Sequence, residues 1–161
     1  MSSLRLVVLF LLLHAGIAEP ASKTCPDVAD FECLVKNSLR VYQEDYEQWW
    51  KIYHHTMAKA RKCTNPQDVT LFLRLWSGQT DGEMAEGLSS DTEDILAQNY
   101  ACFFDGFLGL PSSGRASFVA RFCPLGGPET IAKSLRQALK NPRYEASAKE
   151  ILQRVESKQC E

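Results

Sequence analysis

Histidine is scarce in this chain, with three in 161 residues. His14 falls within an apolar amino-terminal run, which leaves the adjacent His54 and His55 for any chemistry. Neighbours on a helix point about 100° apart, and this pair lacks the i, i+4 spacing of a His-Glu-X-X-His zinc site. They read as partly exposed helix residues and not as catalytic groups. The Gly-X-Ser-X-Gly elbow of a hydrolase is missing, as is the arrangement of a secreted phospholipase A2, whose histidine directly follows paired cysteines. There is no Cys-X-X-Cys redox or zinc motif. An acidic stretch holds Asp81, Glu83, Glu86, Asp91, Glu93 and Asp94, but Asp81-Gly82-Glu83 does not fit an EF-hand loop, which needs alternating ligands and glycine at its sixth position. No enzyme activity, metal or cofactor is expected on these grounds.

Basic charge is also short: 18 Lys and Arg stand against 20 Asp and Glu, a formal net charge of −2. Without a basic excess to displace counterions, nucleic-acid binding by bulk charge is excluded. Asn37, Asn65, Asn99 and Asn141 all lack a hydroxyl residue two positions on, so no N-linked glycan is expected. Alternating apolar runs rich in β-branched residues are hard to find, which points away from strands.

What the chain does have is a leader and six cysteines. Arg5, an apolar stretch over 6–13, and small Gly16 and Ala18 before Glu19 have the pattern of a cleavable secretory signal. We expect residues 1–18 to be a signal peptide and 19–161 a single helical domain, secreted to the extracellular space. No later stretch approaches about 18 consecutive apolar residues, so no transmembrane anchor is expected. In an oxidising compartment Cys25, Cys33, Cys63, Cys102, Cys123 and Cys160 would form three disulfides.

The expected fold is all-α: a disulfide-stapled bundle of about five to seven helices with one long, bent N-terminal helix. That helix spans 26–62, because Val28, Phe31, Val35, Leu39, Tyr42, Tyr46, Trp49, Tyr53, Met57 and Ala60 recur every three or four residues. At 1.5 Å per residue it would be about 50 Å long, more than the roughly 37 Å diameter of a compact chain this size. A bend near Asn37 and Ser38, poorer helix formers, resolves the conflict. Asn65-Pro66 and Asn141-Pro142 read as helix starts. Ser90 and Glu93 have capping-box spacing ahead of Ile95 and Leu96. Further helices fit 115–122 and the segment after Pro128, with loops over 78–90, 106–114 and 124–127. If the chain is helical from Pro26, Cys25 and Cys33 lie roughly 12 Å apart along one rod and should take different partners.

Two apolar features are candidates for function. Tyr42, Tyr46, Trp49 and Tyr53 line one stripe, with Trp50 on its flank and Trp76 on the next helix. Such rings suit a pocket for a small amphipathic ligand, or they are the ordinary core of a bundle. The second feature is the run over 102–111. Four successive large side chains cannot all face one core, so Phe104, Phe107, Leu108 and Leu110 are candidates for an exposed partner contact. Insect odorant carriers carry a Cys-X-X-X-Cys pair and saposins open on Cys-X-X-Cys, and neither spacing occurs. The chain therefore reads as a secreted, monomeric, non-catalytic binding protein for a small hydrophobic ligand. The alternative is a secreted signalling or effector protein acting through extracellular protein contacts, and the third reading is an unrecognised hydrolase.

Overall fold

The computed structural model describes residues 24–25, 31–78, 82–126 and 128–157. The leader at 1–18 and Cys160 lie outside these residues. The described chain is all-α, with eight helices and one 3-10 turn. The helices are α1 (Phe31–Glu44), α2 (Tyr46–Lys62), α3 (Pro66–Leu73), α4 (Glu83–Gln98), α5 (Tyr100–Leu108), α6 (Ser112–Arg121), α7 (Pro128–Ala138) and α8 (Glu145–Glu156), and the 3-10 turn is Arg74–Ser77. This exceeds the five to seven helices expected from sequence.

Among the described residues no long N-terminal helix is present, α1 and α2 being separate helices. Asn37 leaves helical geometry (φ −122°, ψ 22°), and its side-chain amide donates to the Cys33 carbonyl at 3.0 Å. The larger break comes at Asp45, which closes α1 and opens α2 in a single residue. Its N–H still reaches the Val41 carbonyl at 2.7 Å, and its own carbonyl accepts from Trp49 N–H at 3.0 Å. Its carboxylate accepts from Gln48 N–H at 3.1 Å, taking up one of the donors a helix start leaves orphaned. Asn99 repeats the device between α4 and α5 with nearly the same backbone angles (φ −150°, ψ 78° against φ −150°, ψ 73°). Its side-chain oxygen accepts from Cys102 N–H at 3.1 Å.

Asn65 caps α3 by accepting from Gln67 N–H at 3.0 Å, with Pro66 in the first turn. Asn141, in contrast, accepts from Arg143 N–H in a turn, and α8 begins only after Tyr144. Ser90 lies inside α4 instead of starting a helix, and the 78–90 and 106–114 loops are in large part helical.

The buried side chains form one cluster that every helix feeds. α3 lies between α2 and α5, α7 packs on α8 and α4, and α6 covers the 3-10 turn. At the α3–α5 crossing a Cβ on Gly106 would stand 2.5 Å from Val69 Cβ and 2.9 Å from the Pro66 carbonyl oxygen. The missing side chain is what lets the two backbones meet. Thr70 uses that closeness, its hydroxyl donating to the Gly106 carbonyl at 2.7 Å.

Cys25 and Cys33 pair with each other, Cα atoms 5.7 Å apart. The sequence argument placed both on one rod and gave them different partners, which this bond corrects. Cys63 pairs with Cys102, Cα atoms 6.3 Å apart, tying the end of α2 to α5. Cys123 is also disulfide-bonded. Among the described residues no helix is long and apolar enough to cross a membrane.

Candidate functional site

The aromatic stripe divides into a buried half and a surface half. Trp49, Tyr53 and Trp76 are at most 1 % exposed, and each polar tip is satisfied inside the protein. Trp49 Nε1 donates to Ser38 Oγ at 3.0 Å, Trp76 Nε1 to Thr92 Oγ1 at 3.2 Å, and Tyr53 OH to Asp91 Oδ2. Trp49 stacks on Tyr53 with ring centroids 5.1 Å apart. Trp76 packs instead on Phe118 and Phe122. Trp49 and Tyr53 fill the core, while Trp76, buried as well, also borders a separate surface pocket of about 360 Å³ with Ala85, Ser89 and Arg121.

Arg61 bridges Asp91 at 2.6 Å and Asp94 at 2.5 Å, so the Tyr53 hydroxyl faces a carboxylate already held by a cation. Burial first, and then the hydrogen bond from its hydroxyl to Asp91, push the Tyr53 proton well above the usual tyrosine range. The unfolded chain gives up that proton near pH 10 while the folded chain keeps it. Stability is therefore intact below about pH 10 and falls above it, by up to about 1.4 kcal/mol per pH unit. Urea unfolding between pH 8 and 11 should show Tyr53→Phe losing stability less steeply than the wild type. Equal slopes would refute the assignment.

The surface half is different. Tyr46 is 48 % exposed, and with Glu47, Trp50, Lys51 and His54 from α2, and Glu83 from α4, it lines an open groove of about 580 Å³. Helical spacing builds the wall, since Tyr46, Trp50 and His54 lie four residues apart on one face. Tyr46 meets Trp50 edge to face at 6.1 Å and Trp50 stacks on His54 at 5.3 Å. Tyr42 extends the row from α1, its ring 5.2 Å from that of Tyr46.

Glu83, the first residue of α4, closes the groove. Its Oε2 accepts from Tyr42 OH at 2.8 Å and from Tyr46 OH at 3.1 Å. Behind the groove the Trp50 ring lies against Gly87, where an added Cβ would stand 3.4 Å from the indole. The sequence reading missed Glu83 and Gly87 because it placed both in a loop. The signal was there in Met84, Leu88, Ile95 and Leu96, whose helical spacing fixes the buried face of α4.

The second candidate surface is not a surface. Phe104 and Phe107 are fully buried and Leu110 is 2 % exposed, while Leu108 is half-buried. The helix α5 is packed by α3, α4 and α7, and a helix enclosed on several sides can be apolar nearly all round. Phe103, Phe107 and Phe118 form an interior ring cluster. Among the described residues the large apolar side chains most exposed to solvent are Tyr46, Leu71 and Leu125.

Among the described residues no three His, Cys, Asp or Glu side chains are grouped to hold a metal ion. His54 is engaged with the Trp50 ring, and His55 is exposed. The described molecule is thus an all-α, disulfide-linked protein with a filled core and an aromatic groove on its outside. No family model, curated protein or solved structure matches the chain.

Proposed function

We propose that this is a secreted, non-catalytic binding protein that recognises its ligand in the groove formed by Tyr46, Trp50, His54 and Glu83, and not in an enclosed cavity. One observation carries the reading: the stripe that could have lined a chamber is packed solid, while its outer continuation stays open to solvent. Aromatic rings with one wet face offer large contact area at little conformational cost, which suits recognition. Disulfides between helices fit an extracellular destination.

The test uses protein labelled with 5-fluorotryptophan, whose three resonances report Trp49, Trp50 and Trp76 separately. A panel of dodecanoate, indole, choline and 3,3-dimethylbutanol should include at least one probe that moves the Trp50 signal and leaves Trp49 and Trp76 in place. Silence at Trp50 across the panel, or movement confined to the two core tryptophans, would overturn the proposal.

A further inference from the structure

Charge is distributed unevenly around the groove. Between Arg74 and Arg115 the sequence holds no lysine or arginine, yet it contains every acid of α4. Asp91 and Asp94 are paired with Arg61. Glu93 is buried and accepts from the Leu125 and Gly126 amides, the latter at 2.8 Å. Glu83 and Glu86 are left with no ion pair among the described residues, and both stand in the first turn of α4. Glu83 takes its hydrogen bonds from two tyrosine hydroxyls, which are neutral donors, so its negative charge is not cancelled.

That carboxylate reaches the Tyr46 hydroxyl, and Glu47 lines the same groove. The groove's lysine, Lys51, stands five residues from Tyr46, about 7.5 Å further along α2. A ring face and an uncancelled carboxylate on one side of a small concavity attract the same thing. An aromatic quadrupole holds a cation over its face, and the more apolar the cation's outer shell, the less hydration is lost in bringing it there.

We propose that the Tyr46 and Glu83 end of the groove binds a small free organic cation of the alkylammonium class, with its alkyl groups against Tyr46 and Trp50 and its charge facing Glu83. This rests on the groove being the binding site and adds the chemistry of its ligand. A free small molecule fits better than a protein partner, because the groove is lined by six residues, whereas a stable protein contact takes roughly 20 to 30 residues on each partner.

The deciding comparison is choline against 3,3-dimethylbutanol, its uncharged carbon counterpart of the same shape, each titrated by the Trp50 fluorine signal. Choline should bind about tenfold more tightly than the alcohol. Sodium chloride should weaken choline binding and leave the alcohol unaffected. Glu83→Gln keeps an acceptor for the two tyrosine hydroxyls and should cut choline's advantage over the alcohol severalfold, the ring faces retaining the rest. Equal affinity for the two probes, or a choline affinity indifferent to both salt and Glu83→Gln, would overturn the cation assignment while leaving the groove as the binding site. If dodecanoate or indole moves Trp50 and choline does not, the cation assignment falls in the same way. Silence from the whole panel removes both.

Discussion

Replacing Cys63 and Cys102 together with alanine should lower the unfolding free energy by about 4 kcal/mol, against about 2.5 kcal/mol for the Cys25 and Cys33 pair. The difference follows from loop length. The first bond closes 39 residues and the second 8, and the entropy removed from the unfolded chain grows with the logarithm of that number. Position adds to the contrast. The Cys63–Cys102 bond encloses all of α3 and α4 and fixes the end of α2 beside α5, whereas the Cys25–Cys33 bond secures the chain against the first turn of α1. Chemical denaturation of the two double variants, each with its other cysteines intact, provides the measurement. A smaller loss for the Cys63 and Cys102 pair would show that unfolded-chain entropy is not the leading contribution.

Gly106→Ala should cost about 2 to 3 kcal/mol, or roughly 5 to 10 °C in Tm. A methyl group would normally favour a helix by about 1 kcal/mol over glycine, so a loss of this size has to come from the crossing. The new Cβ would meet Val69 Cβ at 2.5 Å and the Pro66 carbonyl oxygen at 2.9 Å. A carbonyl on a neighbouring helix cannot swing aside as a flexible side chain can. The α3–α5 pair would have to separate, weakening the hydrogen bond from Thr70 to the Gly106 carbonyl. Val69→Gly removes the Val69 Cβ together with its Cγ1, leaving only the carbonyl in the way. Combined with Gly106→Ala it should recover part of the loss, giving a coupling of about 1 kcal/mol in a double-mutant cycle. A thermal melt in which Gly106→Ala is neutral would remove the close-crossing argument.

Helical class and the buried rings were legible because a period of three to four residues survives in this sequence almost without interruption. The same continuity hid the corner at Asp45. Because that residue serves both as the last donor to α1 and the cap of α2, Val41, Asp45 and Trp49 keep their four-residue spacing through the break. Periodicity alone cannot tell a continuous rod from two rods joined in phase. The capping signal of Asp45 with Gln48 three positions on was the available clue.

The Cys25–Cys33 error has a related origin. A rod rising 1.5 Å per residue would hold the two cysteines roughly 12 Å apart, whereas their Cα atoms stand 5.7 Å apart. At the groove the limit was different in kind. Spacing along α2 put Tyr46 and Trp50 on one face, but Glu83 reaches Tyr46 across 37 positions of sequence, through an α4 whose first turn looks like loop composition. The run over 102–111 misled because an isolated helix cannot bury four successive large side chains, whereas α5 has neighbours on several sides.

The corners at Asp45 and Asn99 bear on how the molecule resists proteolysis. A protease must thread a stretch of extended backbone through its cleft before it can cut. Each of these corners passes from one helix to the next within one residue that is hydrogen-bonded forwards and backwards, so neither junction offers slack to be threaded.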